Sequence, residues 1–469
     1  MRTTHRPHRA ELAKFTLRLG ASRSDVSQAQ AAAQSAAPSA DSIPLTPSLA
    51  SPPSRASLAL LAFPAILASL TAVVPFPSYA QPLTQVTATS MAATPVNAVV
   101  FSNEVEGALV RALETLKEGG IKAALREIEV ALQKNPNFLL GQLIKGDLLM
   151  AKAGLPQAFT GIKTQPEAVA SLRSEAKARL TRFFDGPPIG HLPSALLQIA
   201  PDQAYALLMD SEKSRLYVFK NVEGAPQLVA DFYITVGKKG VEKEREGDQR
   251  TPLGVYKIEA AVAKERLTDF YGPGAFALNF PNEWDKRLGK TGSGIWLHGT
   301  PSTTYSRPPM SSDGCVVLTN DDFAKIEQYL SPGVTPIVIM PRIEWLSPEK
   351  WLDARAAFSE AIDLWKRDWE SLNTDQYLSH YSPQFSIDGK GIDDWVAKKR
   401  RVNAGKSFVK VEVSNLSVYE YALTPTTPPM MIVTFDQNYK SSNNNGVMKK
   451  RQYWQREGDS WKIIYEAPA

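Results

Sequence analysis

The spacing of apolar residues changes twice along this 469-residue chain, and this change limits the folds that it can adopt. Between Glu104 and Gly154 the apolar residues recur three or four positions apart, which is the spacing of amphipathic helices. From Ala204 to Met340 short β-branched and aromatic runs alternate with turn residues, as in a sheet. After Ser347 a long amphipathic helix precedes a second series of strand-like runs. One bundle or one sheet cannot accommodate all three patterns, so the sequence predicts a multidomain protein.

The helical pattern covers residues 103–190. Gly119–Gly120 and Asn135–Asn137 interrupt it and predict three helices, and a fourth is expected over Ser171–Phe184. The first two helices resemble a tetratricopeptide-type pair with a capping helix. Because one such pair buries little apolar surface, we expect this region to dock on a neighbouring domain, a second protein or a second copy of the chain. A plain helical hairpin without a partner is the alternative.

The first 80 residues predict export. Within them, residues 55–80 contain a basic residue, the apolar run Leu58–Val74 and small residues at Ser78–Ala80. This order resembles the basic region, apolar core and cleavage site of a signal peptide, and an uncleaved membrane anchor is the alternative. We therefore assign residues 1–80 to an N-terminal extension with a signal peptide or anchor, and residues 81–102 to a linker. The body of the protein is expected in the periplasm or elsewhere in the cell envelope.

Charge and composition exclude several classes of protein. The net charge of +5 is spread over the whole chain, so nothing points to a nucleic-acid partner. No group of cysteine and histidine residues has the spacing of metal ligands, and no glycine-rich phosphate loop is present. The sequence therefore predicts neither a cofactor nor a metal site.

The chain contains a single cysteine, Cys315, and His298 lies seventeen residues before it. A lone cysteine cannot form an intramolecular disulfide, and in an exported protein a free thiol is a liability unless it is used. His298 is the one histidine of the β-rich region, so it is the imidazole placed to activate the thiol. Gly314 would let its own backbone amide and that of Cys315 approach a substrate carbonyl as oxyanion donors. The alternatives are an inert buried cysteine and a histidine bonded to backbone.

Three polar residues near the thiol are further candidates. Asp313 is a candidate to orient His298, to bind a substrate amine or to cap the turn, and the sequence does not rank these roles. Ser312 lies within reach of Cys315. Arg307 is a candidate to bind a substrate carboxylate through two parallel hydrogen bonds from its guanidinium, and a solvated loop arginine is the alternative.

We expect residues 203–342 to form a mostly-β domain with antiparallel strands. Runs such as Pro336–Met340 are typical strands, and Ser211–Ser214 predicts a hairpin. His298 is expected to close one strand and Cys315 to begin another. Catalytic groups are often carried in this way, on loops that a rigid sheet positions.

Three motifs in this domain resemble those of the YkuD, or L,D-transpeptidase, catalytic domain. GDQRTPLGVY (247–256) is similar to the family pattern GD-x-x-TP-x-G-x-Y, IWLHGT (295–300) to I-x-x-HG-T, and SDGCV (312–316) to S-H-G-C followed by an apolar residue. Asp313 stands where the family usually has histidine, and Val317 where it commonly has arginine or asparagine. Because both positions contribute to substrate positioning, the sequence does not define the acyl acceptor.

The resemblance implies roles for individual residues. Cys315 would be the nucleophile and His298 the general base, with the backbone around Gly314 as the oxyanion hole. It also places Ser312 and Gly299 at the substrate.

Residues 350–469 resemble the nuclear-transport-factor-like fold, a cone-shaped α+β domain. Ser347–Glu349 is a helix start with a capping serine and proline in the first turn. One face of the helix that follows carries four apolar residues: Phe358, Ile362, Trp365 and Trp369. Strand-like runs then predict a meander, including separate strands at Phe408–Val413 and Leu416–Tyr421.

A YkuD domain followed by such a cone is similar to the L,D-carboxypeptidases that trim peptidoglycan stems in helical bacteria, in which the cone is a ligand pocket or a dimer surface. The resemblance thus implies an L,D-transpeptidase that acts on peptidoglycan stem peptides through a cysteine thioester and forms 3–3 cross-links. Trimming of tetrapeptide to tripeptide is the alternative reaction. A wall-binding scaffold is the non-enzymatic alternative, motivated by Asp313 and Val317.

Overall fold

The computed structural model describes residues 104–155 and 166–469, apart from residues 422–423 and 425–427. The predicted export segment at 55–80 and the linker at 81–102 lie outside the described residues. In the part of the chain that is described, no helix is both long and apolar enough to cross a membrane.

The N-terminal region is helical, as predicted, while its relation to tetratricopeptide repeats stays a prediction. Its helices are α1 (Glu104–Lys117), α2 (Ile121–Lys134), α3 (Leu139–Lys152) and α4 (Pro166–Phe184). Gly119 separates α1 from α2 with a φ of 80°, a conformation that favours glycine. Ala112 of α1 and Ile128 of α2 lie in a shared apolar core, so the amphipathic faces read from the sequence pack against each other.

A mixed eight-stranded sheet forms the central domain. Its strands are β3 (Tyr205–Asp210), β4 (Arg215–Val222), β5 (Ala225–Tyr233), β7 (Gly254–Ala261), β8 (Ala275–Leu278), β9 (Trp296–His298), β11 (Val316–Val317) and β12 (Pro336–Met340). They lie in the spatial order β11-β9-β8-β7-β12-β3-β4-β5. Helices α5 (Glu283–Arg287) and α6 (Asn320–Ile326) lie between strands.

The prediction of a purely antiparallel sheet is wrong. Residues Ser211–Ser214 do join β3 and β4 as an antiparallel hairpin, but β12 is parallel to β3 and β11 is parallel to β9. A short hairpin enforces antiparallel pairing, whereas strands joined by long connections can pair in parallel. Strand-like periodicity identifies strands but does not identify their partners, so it could not reveal these crossovers.

The parallel pair at one sheet edge positions the candidate site. In this pair Val316 lies opposite Leu297 and Val317 opposite His298, so Cys315 enters the edge beside the strand that ends in His298. Next to it, β10 (Met310–Ser312) is parallel to β6 (Val236–Gly237).

The C-terminal domain wraps a sheet around a long helix, as the sequence predicts. Helix α7 (Pro348–Glu370) begins at Ser347, whose hydroxyl accepts a hydrogen bond from the Lys350 amide. The remaining elements are α8 (Thr374–Leu378), α9 (Ile392–Ala404), β14 (Val409–Glu420), β15 (Met430–Ser441), β16 (Asn445–Glu457) and β17 (Ser460–Pro468). The two predicted strands at 408–413 and 416–421 form the single strand β14, because a bulge around Asn415 (φ 52°) interrupts the pattern without ending the strand.

The C-terminal sheet is completed by residues that precede the central sheet in sequence. Strand β2 (Leu196–Gln198) pairs with β14 at its edge, and β1 (Leu192–Pro193) pairs with β13 (Trp345–Leu346). Backbone pairing therefore connects the segment before the central domain with the C-terminal sheet and with the segment after the central domain.

Candidate active site

The imidazole of His298 is held in one tautomer. Its Nδ1 lies 2.6 Å from the carbonyl oxygen of Gly299. A carbonyl can only accept, so Nδ1 carries the hydrogen of the neutral ring and Nε2 keeps a free lone pair. This arrangement suits Nε2 to take up a proton.

Burial keeps this imidazole neutral. Desolvation lowers the pKa of His298 to about 4, the positive charge of Arg307 contributes to the lowering, and the hydrogen bond with Gly299 opposes it. At neutral pH His298 is therefore an uncharged base.

The Cys315 side chain rests as a thiol. Its Sγ donates to the carbonyl oxygen of Gly294 over 3.5 Å. Burial raises the pKa of the thiol, and the charge of Asp313 raises it further, while a backbone hydrogen bond from Trp296 and the charge of Arg307 oppose the shift. The resting pair is thus a neutral thiol and a neutral imidazole, so the sulfur must lose its proton during the attack on a substrate.

Aromatic side chains surround the pair. The Tyr271 ring lies 5.1 Å from the imidazole of His298 and 4.9 Å from the ring of Trp296, centroid to centroid. Burial raises the pKa of Tyr271, and the charge of Cys315 raises it further. The structure therefore brings together the predicted cysteine and histidine and adds Tyr271, which the sequence did not single out.

The nucleophile loop requires glycine at position 314. Gly314 has a φ of 126°, and a Cβ there would lie 2.8 Å from the carbonyl oxygen of Arg250. The hydroxyl of Thr251 donates to the Gly314 carbonyl over 2.9 Å. The Gly314 amide donates to the hydroxyl of Ser312 over 3.1 Å. This amide is used within the loop, so the predicted oxyanion role rests on the Cys315 amide alone.

Ser312 and Gly299 are both engaged in contacts within the site. Ser312 is buried, and its hydroxyl also donates to the Cys315 carbonyl over 2.6 Å. Gly299 is buried as well, and a Cβ there would lie 2.4 Å from Oδ1 of Asn320. In this structure both residues are engaged in packing and hydrogen bonds within the site, and their contact with a substrate stays a prediction.

Asp313 does not orient His298. Its exposed carboxylate accepts from Nζ of Lys238 and from Nε2 of Gln249, both over 3.0 Å. Gly299 supplies the partner of Nδ1 instead. Among the roles left open by the sequence, the orienting one is therefore excluded in this conformation.

Arg307 remains available to a ligand. Its guanidinium lies 4.7 Å above the ring of Phe270, and burial lowers the pKa of this group. Asp313, the nearby acid, pairs with Lys238, which leaves the Arg307 guanidinium without an ion pair among the described residues. The Phe270 ring in turn lies 6.1 Å from the imidazole of His298, centroid to centroid, so this guanidinium lies near the active site and suits recognition of a carboxylate.

Two residues that the sequence analysis did not assign also support the site. Thr251 belongs to the TP pair of the first motif and joins two segments, since its hydroxyl also accepts from the amide of Gly237 over 3.0 Å. Lys238 follows strand β6 directly. The motif could have pointed to Thr251, but no local signal pairs Lys238 with Asp313.

A separate cavity of about 360 Å³ lies in the C-terminal domain, away from Cys315. Lys399 lies in its lining, 4.3 Å above the ring of Trp395. Lys450 pairs with Glu466 over 3.3 Å, and the buried Oε1 of Gln437 has no hydrogen-bond partner among the residues that the structure describes. The cavity therefore combines apolar walls with polar groups, as ligand pockets do.

Comparison with known proteins agrees with both domains. Residues 204–339 match the family model of the L,D-transpeptidase catalytic domain (YkuD), and residues 357–467 match that of the Cds6 C-terminal NTF2-like domain. The comparison with curated proteins found no match.

Two solved structures each resemble the chain over more than half of its length. Bd1075 of Bdellovibrio bacteriovorus is 29% identical, with a TM-score of 0.52, and the match covers 60% of this chain and 99% of that one. Pgp2 of Campylobacter jejuni, a helical cell shape determining protein, is 25% identical, with a TM-score of 0.50, over 59% of this chain and 95% of that one. The chain therefore carries a YkuD-type L,D-transpeptidase catalytic domain at residues 204–339, followed by an NTF2-like domain at residues 357–467.

Proposed function

We propose that this protein is an L,D-transpeptidase that acts on peptidoglycan stem peptides through a thioester on Cys315. YkuD domains are in general cysteine-dependent enzymes that act on such peptides. The observation that carries the proposal is the neutral His298, with Nε2 free to accept a proton, on the strand beside Cys315.

The first half-reaction forms the acyl-enzyme. Sγ of Cys315 bonds to the carbonyl carbon of the third stem residue, a diamino acid, while Nε2 of His298 takes the thiol proton. The Cys315 amide is the proposed donor to the oxyanion. When the bond to the terminal D-alanine breaks, His298 returns the proton to the leaving amine.

The second half-reaction decides the product. Attack by an amine of another stem gives a 3–3 cross-link, and attack by water gives a tripeptide. The second outcome makes the protein an L,D-carboxypeptidase, which is the alternative enzymatic function. The similarity to Pgp2, whose name describes a helical cell shape determinant, supports a role in wall organisation and cell shape for either reaction.

We further propose that the protein works in the periplasm, where its substrate lies and where the predicted export signal at residues 55–80 would direct it. A non-enzymatic role as a wall-binding scaffold is the competing proposal. It is supported by the raised thiol pKa of Cys315 and by the C-terminal cavity around Lys399. The helical region and the NTF2-like domain are the proposed surfaces for a second protein or a second copy.

Incubation of the purified protein with a disaccharide-tetrapeptide is expected to release D-alanine and to yield cross-linked dimer. Separation of the products by liquid chromatography with mass detection distinguishes the reactions, because dimer marks transfer and tripeptide alone marks trimming. A heat-denatured sample is the control. Recovery of unchanged tetrapeptide under all conditions would exclude both enzymatic functions and favour the scaffold.

The pH profile of Cys315 acylation should be broad. The reactive form needs neutral His298, so the rate falls only as the pH drops toward the pKa of about 4. The pair must also keep the thiol proton, because His298 passes it to the leaving D-alanine, so the raised thiol pKa places the alkaline limb above about pH 8.5, the usual thiol value. Since the proton moves during the attack, we expect a solvent deuterium isotope effect of about 2 or more. An alkaline limb near pH 7 with no isotope effect would indicate a preformed thiolate–imidazolium pair instead.

A further inference from the structure

The loop of residues 301–309 touches both the candidate active site and the N-terminal helices. Arg307 lies on the active-site side, with its guanidinium over Phe270. Tyr305 lies on the other side, buried in the apolar core of the helical region, where its ring meets that of Phe138 edge to face with centroids 5.0 Å apart. Tyr305 and Arg307, which face the helical region and the active site respectively, are only two residues apart in sequence.

A partly buried hydrogen bond adds to this contact. The hydroxyl of Ser306, the residue directly before Arg307, donates to Oε1 of Glu175 in α4 over 2.6 Å. Glu175 also accepts from Nε of Arg179 over 3.0 Å, and Nη1 of Arg179 binds Glu106 of α1 over 2.6 Å. Because the ion-paired side chains are almost completely buried, this network fixes the Ser306 partner rigidly.

The same network holds the backbone of Arg307. The guanidinium of Arg179 lies 4.0 Å above the ring of Tyr233, and the hydroxyl of Tyr233 donates to the Arg307 carbonyl over 2.9 Å. The hydroxyl of Thr235 lies within hydrogen-bonding distance of the same carbonyl, at 3.1 Å. Arg307 is thus held by the central sheet on one side and, through Ser306, by α4 on the other.

We propose that the N-terminal helices set the position of Arg307 for substrate recognition, with Glu175 and Ser306 as positioning residues. This inference rests on the proposed function, and it assigns to Arg307 the binding of a carboxylate of the donor stem. The helical region then acts as a built-in part of the substrate site, although none of its residues touches the reacting atoms.

The test is a double-mutant cycle in the full chain. Ser306→Ala is expected to raise the KM for disaccharide-tetrapeptide about 5-fold with little change in kcat, because it loosens binding and leaves Cys315 and His298 in place. Arg307→Gln is expected to raise the KM about 30-fold. In the double variant Ser306→Ala should add nothing, since it acts through Arg307.

Two controls separate positioning from general damage. Ser302→Ala changes an exposed serine of the same loop and should leave the KM unchanged, whereas Ser306→Thr keeps the hydroxyl and should restore most of the wild-type KM. Equal KM values for Ser306→Ala and Ser302→Ala, or additive effects of Ser306→Ala and Arg307→Gln, would overturn the inference.

The inference can also be judged without turnover. In a Cys315→Ala background, calorimetry gives the Kd of the tetrapeptide, and Ser306→Ala should weaken binding about 5-fold while Ser302→Ala does not. If the wild type binds the peptide but forms no product, the proposed reaction fails and the Kd values still decide the role of Ser306. If the peptide does not bind, both proposals fail.

Discussion

Replacement of Cys315 by alanine should lower product formation from a disaccharide-tetrapeptide by about 10⁴-fold or more, because no other group can carry the acyl chain. A carbapenem should add once to the wild type and not at all to Cys315→Ala. Cys315 is the only thiol of the 469-residue chain, so intact-mass spectrometry assigns the adduct without ambiguity.

His298→Gln provides the matching test of the base. It keeps the thiol but removes the proton acceptor, and acylation should slow by about 10²- to 10⁴-fold. His380→Gln is the control, since His380 pairs with Asp368 in the C-terminal domain, and it should react like the wild type. Product from Cys315→Ala would refute the thioester, and absence of an adduct on the native wild type would support the scaffold.

Arg179→Met should destabilise the packing of the helical region on the central domain by about 3–5 kcal/mol. The substitution removes the partner of Glu106 and Glu175 and leaves two carboxylates buried without their principal cation. Arg215 still binds Glu106, but over the longer distance of 3.3 Å. Burial of a charge that has lost its partner is what makes the loss large.

Arg342→Met is the matched control, because Arg342 and Glu212 form an exposed ion pair that should be worth less than about 1 kcal/mol. Denaturation in urea, followed by circular dichroism and by protease sensitivity of the helical region, measures both variants. Similar small losses for Arg179→Met and Arg342→Met would show that the buried network does not hold the helices in place.

The sequence revealed the reacting groups but little of what surrounds them. Cys315 and His298 stand out because their residue types are rare in the chain and lie in recognisable motifs. The surroundings depend on contacts between distant segments, such as Asp313 with Lys238, 75 positions apart, and Arg215 with Glu106, 109 positions apart. Local periodicity cannot predict such pairs, since it records only which face of an element is buried.

The fold, too, could be predicted from the sequence only in part. Helices α1 and α2 and the hairpin at Ser211–Ser214 follow from local spacing and turn residues. The parallel pairing of β12 with β3, and of β11 with β9, depends on crossovers that no short segment encodes. Likewise, the sequence could not show that the Gly314 amide and the Ser312 hydroxyl, which were expected at the oxyanion and the substrate, hydrogen-bond to each other within the loop.

The pairing of strand β2 with β14 can form only late in synthesis. Gln198 pairs with Val418, 220 positions later, so during synthesis β2 has no partner until nearly the whole chain has emerged from the ribosome. The NTF2-like sheet is therefore incomplete in any C-terminal fragment that starts after the YkuD domain, and β14 would present an open edge prone to pairing with other molecules. A gene truncated in this way is expected to yield a product that aggregates. The two domains must therefore be encoded together in one chain.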